Sequence, residues 1–552
     1  MTNPNDDYTS RGWLVTTAAL AVLILVSFIP PIEAGGVSLR RASIISDLVT
    51  FDSDTATAEA EQEAQPEINV EDFEVDLDEV AEQVAQTTAT ASPFGEGTSA
   101  SWEGIFDEQP TGGEAQHDDE PLPSLEALLK ADYSDILPAD SLITSIEEFR
   151  GDEFDTPMHR LYEKLLAGQE SVRVAFMGDS FVEGDILTAD LRELLQDTFH
   201  GGGVGYVPVA SPFTGFRQTI KTTSKGWTPY NIMQRKSTPE PYVGDYFVSG
   251  WVARATDGAS TRWDMTDRRR HLMECNRARL LFISRESSKI TVILNDNVQR
   301  EFEFDGSDVV RQIVVEEEQI LSLEMRVDSG AAGFTAIGAD FDSTSGLSLD
   351  NFSVRSNNGQ AMFWSSASVN AQIHSMRPYD LVVLQYGLNI MQADRHNYSL
   401  YGEQVEKMVR YVESCFPGAA VLVMGVSDRS QRNEQGIVPM SSAVDLTRSQ
   451  REAAEKCGVA FWNTYEAMQR LGGMTAFVEN GWAGKDYTHI NYAGGREIAR
   501  QLYYALLQGA ESYSEALRER IERTKPVISN PLPMIQIPEP VTLQDTVITL
   551  PR

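Results

Sequence analysis

The chain has 552 residues and carries 82 Asp and Glu against 45 Lys and Arg, a formal net charge of −37. That length exceeds a single ordinary core and implies two or more domains of roughly 100–150 residues together with unfolded segments. No Lys/Arg-rich face stands out, which argues against nucleic acid as a partner, and three cysteines without paired spacing, Cys275, Cys415 and Cys457, support neither a disulfide framework nor a zinc site.

In chain order, the first element is the apolar stretch "RGWLVTTAALAVLILVSFIPPIEAGG", uncharged from Gly12 to Ile32. Twenty-one residues at about 1.5 Å rise give roughly 30 Å of helix, enough to cross a bilayer. We read a cytoplasmic tail over 1–12 and a transmembrane anchor over 13–33. A signal peptide cut after Ala34 is the alternative, but the run is long for one and Ile32 fits its cleavage site poorly. Export of the carboxyl-terminal bulk, with a short inner tail, is the simpler orientation.

Residues 34–124 read as an acidic disordered linker. From Phe51 to Glu120 there are 21 Asp and Glu and no Lys or Arg, so 21 of the 37 net negative charges sit in an eighth of the chain. So few large apolar side chains cannot offset the entropy of ordering. A short amphipathic helix near Val70 to Val84 is the one element the pattern leaves open. As a flexible coil, about 70 residues would reach roughly 45–50 Å.

Folding signals resume near Leu125. "EEFRGDEFDTPMHRLYEKLLAGQ" has the period of a helix, "VRVAFM" that of a buried strand, and "ILTADLRELLQDTFH" again that of a helix. We assign 125–215 to the first part of an α/β domain. Residues 216–345 change to period two, as in "ILSLEMRV", with a hairpin signal at Asn295-Asp296-Asn297. This is the signature of an inserted antiparallel β module, a sandwich. Of its tryptophans Trp227, Trp251 and Trp263, core packing is expected for at least two, with sugar stacking open to the rest.

Strand and helix then alternate through "GLSLDNFSV", "QAMFWSSASVNAQIHSMR", "YDLVVLQYG", "YSLYGEQVEKMVRYVESCF", "AAVLVMGVS", "AVDLTRSQREAAEKCG", "VAFWNTY" and "GGREIARQLYYALLQG". Continuous apolar strands between amphipathic helices predict a doubly wound parallel sheet covered on both faces, with 346–523 completing the domain begun at 125. The rest, 524–552, is a proline-rich tail.

Three polar motifs fall at the carboxyl ends of predicted parallel strands, where open α/β sheets place their ligands. Gly178-Asp179-Ser180 follows "VRVAFM", "YGLNIM" with Gly387 and Asn389 follows "DLVVLQ", and "DYTHINYAGG" with Asp486 and His489 precedes the last helix. A serine at a strand-to-helix turn presents its hydroxyl outward and its own N–H toward a developing oxyanion. A carboxylate three residues from a histidine can fix its tautomer while the other ring nitrogen takes the serine proton. Alone, each motif has a structural reading: a common turn, a capped helix with a surface histidine, an asparagine satisfying loop backbone. Together, in this order, they point to a Ser180–His489–Asp486 triad.

On these residues the chain resembles the SGNH (GDSL-type) hydrolases, whose sheet is flavodoxin-like. The resemblance implies Ser180 as nucleophile, Asp486 and His489 as its partners, and an oxyanion hole made by Ser180, Gly359 and Asn389. Gly359 is chosen over Gly201 to Gly203 because "GLSLDNFSVRSNNG" stands where the family's second strand and loop belong. Phe181 and Ile390 replace the Leu and Asp that the family often carries. With the β insert, and with "GDSFVEGD", "DLVVLQYGLN", "SDRSQ" and "KDYTHINYAGG", the layout is similar to the peptidoglycan O-acetylesterase branch, whose insert resembles a family-35 carbohydrate-binding module. It covers roughly Val172 to Gly509. The implied activity is a serine esterase that removes O-acetyl groups from cell-wall glycan without metal or organic cofactor. The alternatives are an O-acetyltransferase using the same acetyl-enzyme, and an inactive wall-binding protein; the oligomeric state is not legible.

Overall fold

The computed structural model describes residues 74–90, 99–102, 125–149, 154–168 and 171–524 apart from 213, 214 and 216, together with a two-residue ladder pairing Glu33–Ala34 with Val37–Ser38. The chain divides into Met1–Asn69, where that ladder is the only described feature, and Val70–Arg552, which holds everything below. The cytoplasmic tail 1–12, the anchor up to residue 32 and the tail beyond 524 lie outside the described residues. No helix among the described residues is long and apolar enough to cross a membrane.

The main helices are Leu77–Thr90 (α1), Pro157–Ala167 (α2), Thr188–Phe199 (α3), Ala367–Met376 (α4), Ser399–Cys415 (α5), Ser442–Cys457 (α6) and Tyr492–Thr524 (α7). Local chemistry sets their ends. In α2, Pro157 occupies the first turn, Thr156 Oγ1 accepts the His159 N–H at 3.0 Å, and Gly168 closes the helix at φ 66°.

Between them, Ser171–Gly178 (β1), Gly346–Ser353 (β2), Leu381–Gln385 (β3), Ala420–Met424 (β4) and Ala460–Trp462 (β5) form one sheet in the order β2-β1-β3-β4-β5, all pairs parallel. Every residue of β3, β4 and β5 is buried, as a sheet covered on both faces requires. The expected doubly wound, flavodoxin-like sheet is what the chain forms. Its register matters most for the site: Gly178 pairs with both Ser353 and Gln385, and Gln385 with Met424. Those strands therefore end level, and the loops that leave them share one rim at the point where strand order reverses.

The antiparallel region follows α3 and returns the chain to β2. Ten strands join in one hydrogen-bonded network whose main path runs 298–304, 288–294, 322–329, 251–265, 334–342, 277–284, 307–316 and 99–102. The 15-residue strand Trp251–Met265 pairs with 334–342 through its first part and with 322–329 through its second. Phe282 and Phe304, five strands apart on that path, nonetheless meet edge to face at 5.1 Å. The network therefore folds over itself into two layers sharing one core, a sandwich in which a long strand passes between the layers. Trp263 is fully buried in that core and Trp227 packs against it. All three cysteines are buried and free.

Two parts of this architecture differ from the sequence reading. The strands begin at Gly205–Val207, ahead of residue 216, and include Ser99–Trp102, which pairs parallel to 307–316. The segment expected to be a disordered linker over 34–124 also contains α1. Asp76 Oδ1 caps that helix by accepting the N–H groups of Asp78 and Glu79 at 3.0 and 3.1 Å, Asp78 and Glu79 complement its dipole, and Val80 and Val84 are buried as it packs on α4 and α5. The amphipathic helix left open near Val70 to Val84 thus forms over Leu77–Thr90, on two valines four apart.

A buried ion cluster fastens the module to the sheet. Arg377, after α4, meets Asp350 of β2 and, at 3.3 Å, Asp340 of strand 334–342, while Arg279 and Arg277 hold Asp340 and Asp342 at 3.1 and 2.7 Å. Because Arg377 and its carboxylates are all essentially buried, each charge depends on the others.

Candidate active site

The apolar run of β1 ends at Gly178 because the chain must turn over the sheet rim. Asp179 is fully buried and its Oδ1 accepts the Phe181 N–H at 2.9 Å, which holds the turn closed. Ser180 follows, 6% exposed; neither its N–H nor its Oγ makes a hydrogen bond among the described residues. A backbone donor and a hydroxyl are thus left unspent at one residue.

Asp486 and His489 share one turn. Asp486 Oδ1 accepts the N–H groups of Thr488 and His489, both at 3.1 Å, and Oδ2 lies 2.7 Å from His489 Nδ1. Burial opposes ionisation of Asp486, but the hydrogen bonds from His489 and from the two backbone N–H groups outweigh it and hold the carboxyl below its usual range. The bond orients the ring, and Nε2 has no hydrogen-bond partner among the described residues.

The motifs, some 300 residues apart in sequence, are packed side by side. Tyr492, three residues past His489, donates its hydroxyl to Gly184 O at 2.9 Å. Gly495 lies so close to Ile186 that a Cβ there would stand 2.0 Å from its carbonyl oxygen, which is why "NYAGG" carries a glycine at that point. The charge of His489 also acts on the Asp179 carboxyl. No hydrogen bond joins Ser180 Oγ to His489, so the proton path is open here; such contacts often close only around substrate.

Asn389 and Gly359 come together through a residue the sequence reading passed over. Asn389 Nδ2 donates to Asp179 Oδ2 and to Asn357 O, both at 3.0 Å, while Asn357 Oδ1 accepts the Gly359 N–H at 2.9 Å. Gly359 has φ 106°, and a Cβ there would strike Met408 Sδ at 2.1 Å, so both backbone and space require glycine. Of the three donors expected to face an oxyanion, only the Ser180 N–H is free. The Gly359 N–H and both protons of the Asn389 amide are already given to protein acceptors.

No protein-family model matches the chain, and no curated protein does. Among solved structures, a peptidoglycan O-acetylesterase is 20% identical, with a TM-score of 0.52 over 68% of this chain and 99% of its own. The chain shares the fold of that esterase. Weaker likenesses include a family two carbohydrate esterase from Cellvibrio japonicus (10% identical, TM-score 0.23, 53% of this chain and 98% of that one) and a lipase/acylhydrolase from Enterococcus faecalis (14%, 0.23, 30% and 77%). At 20% identity the similarity to the peptidoglycan O-acetylesterase is one of architecture.

Two further residues stand at the rim. Asp179 is the acceptor that orients Asn389, and burial pushes its carboxyl up to about 7, with the Phe181 N–H and His489 opposing. Arg429, after β4, places Nη1 3.5 Å from Met391 O in the Asn389 loop; burial lowers its proton affinity while the Asp486 charge raises it. Asp179 could have been found as the middle residue of Gly-Asp-Ser, and Arg429 as the cation of "SDRSQ". Asn357 carries no such signal, since its role comes from the path of the 354–359 loop. Chemically, the rim offers a hydroxyl, an imidazole held by a carboxylate and one free N–H donor, the parts acyl transfer needs.

Proposed function

We propose that this protein is a serine esterase that removes O-linked acetyl groups from cell-wall glycan. The observation that carries the reading is the pairing of Asp486 with His489 at 2.7 Å in a segment bonded to the residues following an unpaired Ser180. Ser180 Oγ attacks the acetyl carbonyl carbon and passes its proton to His489 Nε2, while Asp486 stabilises the imidazolium. The Ser180 N–H meets the negative oxygen; Gly359 and Asn389 join when Asn357 and Asp179 release them. The ester C–O bond then breaks, and the sugar oxygen leaves with the proton from His489. Water, deprotonated by His489, attacks the acetyl-enzyme; acetate departs and Ser180 recovers its proton.

The similarity to a peptidoglycan O-acetylesterase supports a wall glycan as substrate. The uncharged stretch from Gly12 to Ile32 supports an inner-membrane tether with the enzyme in the periplasm. The test is a panel of O-acetylated wall fragments, acetylated xylan and longer acyl esters, with acetate release followed and Ser180→Ala as control. Acetate released from wall fragments by the unaltered protein alone is the expected result. Equal activity in Ser180→Ala would refute the mechanism, and preference for xylan or longer acyl esters would refute the substrate.

A further inference from the structure

A cavity of about 620 Å³ opens between the Ser180 turn and the antiparallel module. One wall belongs to the catalytic segments: Glu183 and Gly184, just past Ser180, and Tyr492, just past His489. Ser353 and Arg355, beyond the end of β2, continue it. The facing wall comes from the module, with Trp251, Ile220 and Thr222 on two paired strands and Gln218 just before them. The volume is in the range that engulfs a drug-sized ligand, the size class of a disaccharide.

The floor is built and rigid. Asp185, fully buried at φ 66°, accepts from Arg217 Nε at 2.8 Å, Thr219 Oγ1 at 2.6 Å and Thr188 Oγ1 at 2.8 Å, and Arg192 approaches it at 3.3 Å. Its charge is therefore spent within the protein. The polar groups left for a ligand lie on the walls. Thr222 Oγ1 is buried with no hydrogen-bond partner among the described residues, and the Glu183–Arg355 pair, at 2.7 Å, stands at the edge.

This combination decides the chemistry of the occupant. Trp251 presents apolar surface to the C–H face of a pyranose ring, backed by the buried Ile220, and the hydroxyl, amide and ion-pair groups around it match the ring's hydroxyls. An acyl chain would cover the same apolar surface but leave Thr222 and the Glu183–Arg355 pair desolvated without new partners, at a cost. Trp251, one of the three tryptophans of the module, is thus the one turned to this space while Trp263 and Trp227 serve the core.

We propose that this cavity is a glycan subsite that holds the sugar adjoining the acetylated one, so that the module and the hydrolase domain read the substrate together. The inference rests on the wall-glycan esterase reading and adds the place where the polymer is held.

The experiment uses the full chain and two readouts. The first is the ratio of kcat/KM on an O-acetylated wall oligosaccharide to that on 4-nitrophenyl acetate, which needs no subsite. The second is calorimetric binding of the unacetylated N-acetylglucosamine–N-acetylmuramic acid disaccharide to the Ser180→Ala protein. Trp251→Ala is expected to lower the ratio about tenfold and to weaken disaccharide binding by a similar factor; Thr222→Val is expected to act in the same direction without a large change of volume. Unchanged disaccharide binding in Trp251→Ala, or an equal fall on both esters, would overturn the subsite. So would a preference for 4-nitrophenyl octanoate over the acetate that Trp251→Ala abolishes, since the space would then be an acyl pocket. If the unaltered protein binds the disaccharide through Trp251 but releases no acetate from wall oligosaccharide, the subsite stands and the esterase reading falls.

Discussion

Replacing Asp179 by Asn removes a carboxyl that the fold buries completely and titrates far from its ordinary range. Burial raises its pKa from 3.8 to about 7, so the folded protein binds this proton more tightly than the unfolded chain. Stability from this group is then greatest at low pH and is lost as pH rises through the interval between those two values. At 1.36 kcal/mol per pH unit, the full loss is about 4 kcal/mol, of which about 2–3 kcal/mol falls between pH 5 and pH 8. Asparagine mimics the protonated acid in shape and in having one acceptor oxygen, so Asp179→Asn lacks this slope. Urea unfolding of both proteins at half-unit intervals from pH 5 to 8 measures it. The variant is expected to gain on the unaltered protein by about 2–3 kcal/mol across the range; a difference in stability that does not vary with pH would refute the reasoning.

Asn389→Ala removes the amide that the proposed mechanism turns from Asp179 and Asn357 to the oxyanion, and is expected to lower kcat on acetyl esters by about 10²–10³, measured by steady-state kinetics with the fold checked by circular dichroism. Arg377→Ala strands the buried carboxylates of Asp350 and Asp340 and should cost about 3–5 kcal/mol in denaturant unfolding. Val84→Asp places a charge where α1 meets α4 and α5; it should free that helix to protease and lower stability by about 1.5–3 kcal/mol, with kcat on 4-nitrophenyl acetate retained.

Strong periodicity made the parallel sheet legible. The runs "VAFM", "LVVL" and "AVLVM" are apolar throughout because both faces are covered, and the polar residues that follow mark the rim. Ser180 sits just past the end of β1, whereas Asp486 and His489, expected at the end of a parallel strand, lie in the loop between the helix Gly473–Glu479 and α7. What escaped was context. Ser99–Trp102 becomes a strand only by pairing with 307–316, and α1, whose pattern was visible near Val70 to Val84, is held by α4 and α5 against the acidic composition around it. Gly359 was chosen by topology, and the structure shows why a glycine stands there; that its N–H is occupied by Asn357 depends on a side chain two residues earlier, which no motif flags.

The central claim is that Ser180 carries the acyl group, and trapping that group tests it most directly. Incubation with a chromogenic acetyl ester, acid quench and peptide mapping by mass spectrometry should find one added acetyl on the peptide containing Ser180, transient in the unaltered protein and missing in Ser180→Ala. Acetyl on a different residue, or full ester turnover with Ser180 never modified, would contradict the account.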